Sequence, residues 1–263
     1  MRAYWAVVSA RFRMLLQYRA AALAGLATQL FFGLVFIMVY EAFYRSTSAP
    51  QPMAYPDIVT YVWLGQAMLW MLPWNVDREI RAMVNSGVVA YELVRPLDLY
   101  TFWFCRALAV RTAPVLLRAV PMAILAWLFF GLQPPPSWAS ACAWGAATLG
   151  ALLLSCAMST LLNISLLWTL AGDGVVMLVS SAVVLLSGMM VPLPFFPDWA
   201  QSILKALPFR GLVDLPFRLY TGHIPPGEAF SVLAHQVAWA VVWVALGRRT
   251  LTRGTRRLVV QGG

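Results

Sequence analysis

Lysine is almost missing from this sequence: Lys205 is the only one, and it follows Leu204 rather than a glycine. A P-loop needs a Gly-Lys pair at the start of a helix, so the chain cannot itself bind and hydrolyse ATP by that route. Acids are nearly as scarce. The ten are Glu41, Asp57, Asp77, Glu79, Glu92, Asp98, Asp173, Asp198, Asp214 and Glu228, and each falls in a loop or at the end of an apolar run. Ion-coupled carriers and proton relays place ionisable groups inside the membrane, so this pattern disfavours them. The two histidines, His223 and His235, have no partner at metal-ligand spacing, and no paired carboxylates or nucleophile–base arrangement is visible. A neutral His235 bonded between helices is expected over a catalytic one. No enzyme activity, metal or cofactor is expected on this chain. Three cysteines, Cys105, Cys142 and Cys156, lie in or beside apolar runs. They predict small buried hydrophobes rather than a disulfide framework.

What is abundant is apolar. Hydrophobic residues make up 61% of the 263 positions and charged residues only 11%, against about 25% charged in an ordinary soluble domain. Too little charge is left to solvate a globule of this size. A membrane-spanning helix needs about 20 mostly apolar residues, and runs of that kind lie near 20–40, 58–74, 112–132, 138–162, 175–191 and 229–246. Between them stand turn formers: three prolines in 46–56, three in a row in 133–137, and glycines at 172 and 174. The expected fold class is an all-α membrane protein with six spanning helices. Its expected divisions are an N-terminal interfacial helix (1–19), the six-span domain (20–247) and a basic tail (248–263).

The +9 net charge suggests nucleic acid until the arginines are located beside apolar runs. Arg2, Arg11, Arg13 and Arg19 precede the first run. Arg78, Arg81, Arg95, Arg106 and Arg111 lie between the second and third. Arg248, Arg249, Arg253, Arg256 and Arg257 follow the sixth. The opposite side holds only Arg45, Lys205, Arg210 and Arg218, with Arg118 inside a run. Fourteen against four places both termini in the cytoplasm by the positive-inside rule. No signal peptide is expected in the first residues, which lack an apolar core followed by a cleavage pattern. If they are helical, Trp5, Val8, Phe12, Leu15 and Leu16 share a face opposite Arg2, Arg13 and Gln17. Arg11 and Arg19 blur that pattern, although long stems can snorkel. The arrangement suits a helix lying in the interface, with extension of the first span as the other reading.

The stretch 77–100 is the most distinctive on the inner side. Asp77 and Arg81, four apart, suggest a polar continuation of the second helix. Gly87 is the expected stop, and Arg95-Pro96 disfavours helix at Arg95. Val88, Val89, Leu93, Val94 and Leu97 are too apolar for a loop facing only water, so something should cover them.

Ile80, Arg81, Gly87, Leu93, Arg95, Pro96, Leu97 and Asp98 together resemble the cytoplasmic segment of one branch of ABC-2 type exporter permeases. That branch reads Ile-Arg, then Gly, then a run ending Leu-x-Arg-Pro-Leu-Asp. The stretch 187–199, with Ser187-Gly188, Pro192-Leu193 and Pro197-Asp198-Trp199, is similar to the pattern after the fifth span of such permeases. The resemblance implies a permease subunit of an ATP-driven exporter in the bacterial inner membrane. It implies a coupling helix within 87–97 that docks on a cytosolic ATPase, with Arg81, Gly87, Tyr91, Glu92, Leu93, Arg95, Pro96 and Leu97 as the coupling residues. Two permeases, often different homologous chains and otherwise a homodimer, would work with two ATPases that hold the ATP and Mg, and substrate would pass between the permeases. The alternative is a polytopic channel-like subunit or scaffold outside that family.

Three further features carry expectations. Pro192, Pro194 and Pro197 forbid regular helix, and Trp199, Ile203, Leu204 and Leu207 could form an apolar stripe after them. The segment 192–227 is expected to re-enter the membrane, with Pro192, Pro194, Phe195, Pro197 and Trp199 at an outer gate or pathway; an interfacial helix is the other reading. Ala139, Ala143, Ala147, Ala151, Ser155 and Ser159 make a smooth ridge for close helix packing. Arg111 and Arg118 share a face of the third span, either snorkelling to the inner interface or forming a cationic wall that contacts an anionic substrate or lipid group.

Overall fold

A computed structural model describes residues 2–169 and 173–255. Gly172, Arg256 and Arg257 from the expectations above lie outside the described residues. Among those residues the structure is all helix, with no strand.

The chain opens with α1 (Arg2–Leu16) and, after a turn closed by the Gln17 and Tyr18 amides on Met14 and Leu15 carbonyls, enters α2 (Arg19–Ser46). Prolines follow, and α3 (Tyr55–Met68) starts with Pro56 in its first turn, where its missing N–H costs nothing. A single tighter turn, Leu69–Met71, ends α3. Two short helices come next, α4 (Arg78–Asn85) and α5 (Val89–Leu93), and then the 31-residue α6 (Leu99–Phe129). Ser137, donated to by the Ser140 amide, caps α7 (Trp138–Ser165) after three prolines. The rest is α8 (Asp173–Leu186), α9 (Asp198–Ala206), α10 (Asp214–Tyr220) and α11 (Ala229–Thr255).

Four helical stretches are long and apolar enough to cross a membrane: Arg19–Ser46, Leu99–Phe129, Trp138–Ser165 and Pro226–Thr255. The other two expected runs are shorter as helices. The run at 58–74 becomes α3 plus one tight turn, and the run at 175–191 becomes the 14-residue α8. Further corrections concern boundaries. The third long run begins at Leu99 rather than near 112, because Arg106 and Arg111 are paired inside the fold and do not interrupt the helix. At 1.5 Å per residue α6 is about 46 Å long and outruns a hydrocarbon core of roughly 30 Å. Residues 248–255 are not a separate tail; they continue α11.

The small-residue ridge explains the centre of the bundle. Ala143, Ala147, Ala151, Ser155 and Ser159 are all buried, with Ala139 left exposed at the helix start. α7 packs through this side of the bundle on α11, α10 and α6. Gln236 of α11 donates to the carbonyls of Ala147 (2.9 Å) and Gly211 (2.8 Å), and the Ser155 hydroxyl donates to the Met71 carbonyl. The ridge therefore serves packing within the chain. α3 is enclosed between α2 and α6, with every residue from Ile58 to Ala67 buried. By contrast α2 and α8 each keep a broad uncovered apolar side, including Phe31, Met38, Met177 and Leu178. Cys156 is buried as expected, but Cys142 faces outward.

Candidate functional site

The stretch 72–98 leaves the bundle after α3 and returns at α6. It is not a continuation of the second helix. The chain breaks at 72–77, and Asp77 starts a new helix by accepting from the Glu79 amide (2.9 Å) and the Ile80 amide (3.5 Å), as an N-cap aspartate does. Arg81 accordingly pairs not with Asp77 but with Asp173 at the start of α8, at 2.6 Å. Gly87, at φ +74°, ends α4; a left-handed residue at that point is the usual helix stop, and glycine takes it without steric cost.

Charge fixes the root of this segment. Asp77 and Glu79 receive Arg106 of α6 at 2.9 and 2.8 Å, and Arg11 of α1 reaches Glu79 at 2.5 Å and Asp77 at 3.6 Å. Asn163 of α7 accepts the Asp77 amide at 2.8 Å. Burial works to raise the Glu79 carboxyl, but the hydrogen bonds and charges of Arg106 and Arg11 outweigh it and hold that carboxyl below its ordinary value. At the returning end, Asp98 caps α6 through the Thr101 amide (2.9 Å), its own amide donates to the Tyr4 hydroxyl (2.9 Å), and Arg248 of α11 lies 3.4 Å away. Burial raises the Asp98 carboxyl too, and the Thr101 bonds together with Arg248 pull it below its ordinary value. Arg248 also sits over the Tyr100 ring at 5.0 Å.

Between these roots the tip divides in two. Val89 is fully buried against Val76, Ile80 and Tyr100, and Leu97 packs on the same cluster. Glu92 turns inward and meets Arg95 at 3.2 Å. Val88, Tyr91, Leu93 and Val94 face out, with Tyr91 73% and Val94 80% exposed; Arg95 and Pro96 flank them on the surface. The expectation that Val88, Val89, Leu93, Val94 and Leu97 need cover thus holds, inside this chain, for Val89 and Leu97 only.

Several of the residues that build the site escaped sequence reading. Arg11 stood out only as a blemish on the apolar face of the first helix. In the structure the inward face of α1 is Tyr4, Val7 and Arg11, while Trp5 points away. The signal was the spacing of Arg11 with Tyr4 and Val7, together with two carboxylates at the same level. Asn75, Asn163 and Arg106 gave none, because their partners lie 27 to 86 residues away.

Arg111 and Arg118 part company. Arg111 is 2% exposed and donates to Ser159 (3.2 Å) and to the carbonyl (3.1 Å) and side chain (3.2 Å) of Asn75. Arg118 reaches toward the first turn of α2, as a snorkelling side chain would, yet ends inside protein. It donates to the Ala21 carbonyl at 3.2 Å, stacks on Trp70 at 4.6 Å, and occupies the space a Cβ on Gly25 would need. A cavity of about 490 Å³ opens beside Arg111, between α1, the root of α4, α6 and α7.

The far side of the molecule is built otherwise. Gly188 at φ +89° ends the α8 turn, Pro192–Pro194 run into a single tight turn at Leu193–Phe195, and Pro197 precedes α9. Tyr40 donates to the Met190 carbonyl (2.9 Å), and Phe195 rests against Tyr40 and Phe43. The Leu193 amide donates to Asp214, which is 1% exposed, at 3.3 Å. The expected stripe on α9 is split: Leu204 is buried with Ala200, while Trp199 and Ile203 face out.

Residues 24–262 match the family described as ABC-2 family transporter protein. Neither the curated proteins nor the solved structures gave a match. The reading of a channel-like subunit or scaffold outside that family falls with the match. With all but 24 of its 263 residues matched and four helices long and apolar enough to cross a membrane, the chain is a membrane protein that belongs to the ABC-2 transporter family.

Proposed function

We propose that the chain is a permease subunit of an ATP-driven exporter in a bacterial inner membrane, crossing it six times with both termini in the cytoplasm. ATP and Mg are held by two copies of a cytosolic ATPase, and this chain contributes no catalysis. A second permease, a different homologous chain in preference to a second copy, completes the pathway. Force enters at Arg81, Gly87, Tyr91, Glu92, Leu93, Arg95, Pro96 and Leu97.

The observation that carries this reading is the exposed apolar tip on a charge-clamped mount. Val88, Tyr91, Leu93 and Val94 stand uncovered, while Arg11, Arg81, Arg106 and Arg248 tie the roots to α1, α8, α6 and α11. A loop with no partner has little reason to hold those side chains in water. A push on the tip is delivered to four helices at once. Within the family, partnership with ABC ATPases is general; the two-plus-two assembly is part of the proposal.

The six crossings count α3 and α8 with the four longer helices. Their ends meet irregular backbone, which is tolerated at membrane depth only where it is buried in protein or lines a cavity. Residues 212–220 fit that condition, since all but one are buried. We therefore place 192–227 as a re-entrant segment, with Pro192, Pro194, Phe195, Pro197 and Trp199 at the outer end of the pathway. The uncovered sides of α2 and α8 are where the second permease is expected.

The test is co-purification of the tagged chain with a P-loop ATPase. Tyr91→Asp or Val94→Asp should weaken capture by at least about thirtyfold, the effect of losing an interface anchor of roughly 2 kcal/mol. Retained capture in both variants, with unchanged melting of the permease, would overturn the coupling assignment.

A further inference from the structure

The cavity beside Arg111 has no part in the mechanism above. Its walls combine two chemistries. Met14 and Leu15 of α1, Tyr18 in the turn after it and Trp70 contribute apolar surface, and Arg11, Asn75, Arg111 and Asn163 contribute polar groups. Two arginines on that wall each keep a buried nitrogen without a hydrogen-bond partner: Nη1 of Arg111 and Nε of Arg11. Buried donors of this kind are normally satisfied, and leaving them open is costly. Arg111 is itself 2% exposed, so it is a built element of the wall and not a surface side chain that happens to lie near.

The sign of the site follows from its charges. Asp77 and Glu79 also line the cavity, but both are engaged by Arg106 and Arg11. Arg78 and Arg111 are then left without a carboxylate partner among the described residues. A cation would meet those guanidinium groups; an anion with several acceptor oxygens would answer the open donors. Arg is suited to phosphate oxygens because its planar donors match them in pairs. Leu15 and Tyr18 lie where α1 turns into α2; with α1 lying in the interface, as its sequence leads one to expect, that is the level at which lipid headgroups meet acyl chains.

We infer that this cavity is a binding site for a phosphate-class anion, with the headgroup of an anionic membrane lipid as its source, seated between α1 and the root of the 77–98 segment. Arg111 supplies the central donor, Arg78 the flanking charge, Arg11 its open Nε donor, and Tyr18 and Leu15 the contact for the first carbons of the lipid. This does not rest on ATPase docking, because occupancy is a property of the permease alone. It would make the clamp between α1 and α4 depend on the surrounding lipid.

The experiment uses the purified full chain in a zwitterionic detergent. Dioctanoyl phosphatidylglycerol, dioctanoyl phosphatidylcholine and inorganic phosphate are titrated separately and followed by tryptophan fluorescence, with Trp70 on the cavity wall. The phosphatidylglycerol should bind, and Arg111→Gln should weaken it by at least about tenfold, the loss expected for a charged hydrogen bond. Val110→Phe, which narrows the cavity without touching a charge, should weaken it comparably and guards against a folding defect in the first variant. Phosphatidylglycerol binding without inorganic phosphate binding supports the lipid source. Arg111-dependent binding of inorganic phosphate alone supports the anion site and overturns the lipid source. Equal binding by the parent and both variants, or equal binding of phosphatidylcholine and phosphatidylglycerol, overturns the proposal.

Discussion

The segment around α4 and α5 and the segment from 187 to 220 both leave the bundle and return, yet they are held by opposite means. The first is fastened by ion pairs from four helices. The second is fastened mainly by prolines, ring contacts, the Leu193 amide on the buried Asp214 carboxylate and the Tyr40 hydroxyl on the Met190 carbonyl, with one ion pair, Arg218–Asp214 at 3.6 Å. Ion pairs with one face in water, Arg81–Asp173 and Arg248–Asp98, keep their partners solvated when they open, so they can be broken and remade. A buried amide on Asp214 has no such alternative, because exposing it in an apolar setting costs the full desolvation of both groups. The difference teaches that one segment is suited to transmit displacement and the other to stay put until it moves as a unit.

The comparison breaks most visibly at Arg106. Its side chain and that of Asp77 are both largely buried, and removing it leaves Asp77 only the longer contact with Arg11 at 3.6 Å; breaking a buried pair in this way costs about 3 kcal/mol. Arg106→Leu should lower the unfolding free energy of the detergent-purified chain by that amount. Hydrogen exchange should show 78–97 losing protection while 193–220 keeps its own. Equal loosening at both ends would mean that the two segments are one cooperative unit.

A matched pair of glycines sharpens it further. Gly188 and Gly87 both have positive φ. A Cβ on Gly188 would lie 2.6 Å from the Tyr61 hydroxyl and 3.2 Å from Asp214 Cβ, whereas one on Gly87 would meet nothing within 4 Å. Gly188→Ala therefore adds overpacking to backbone strain and should cost about 2–4 kcal/mol. Gly87→Ala meets the backbone term alone, about 1 kcal/mol. Comparable melting losses in the two variants would contradict the contrast between an enclosed segment and an open one.

How much of this was visible in the sequence depends on the range of the forces involved. The apolar runs, the stops at Gly87 and the 192–197 prolines, and the smooth ridge from Ala143 to Ser159 are local signals and were legible. The split at Asp77 was not. Asp77 with Arg81 has the spacing of a helical pair, and only the distant partners Asn163, Arg106 and Asp173 pull each of them out of it. Arg11 was misread for the same reason: a charge on an apolar face looks like noise until its carboxylates, 66 and 68 positions on, are in place. The start of α6 was set too late because arginines were taken as boundaries, and buried pairing removes that meaning.

The smallest effect concerns acid and salt. Glu79 and Asp98 are both held below their ordinary values in the fold. A carboxylate with a depressed pKa contributes stability that is fully present above the unfolded value, near pH 4, and lost as pH falls through the folded one. Acidification from pH 6 to about pH 3 should therefore release the roots of the inner segment. Both groups are substantially exposed, so water screens them and the loss should stay below about 1 kcal/mol. Raising salt at neutral pH should weaken Arg81–Asp173 and Arg248–Asp98 in the same direction, since each has an exposed partner. The outer segment's ion pair, Arg218–Asp214 at 3.6 Å, has a buried carboxylate that also accepts the Leu193 amide, so salt reaches it less. Exchange protection measured across 78–97 and 193–220 in a salt series should thus fall in the first and hold in the second. A salt response confined to 193–220 would invert the assignment of which segment is mounted on charge.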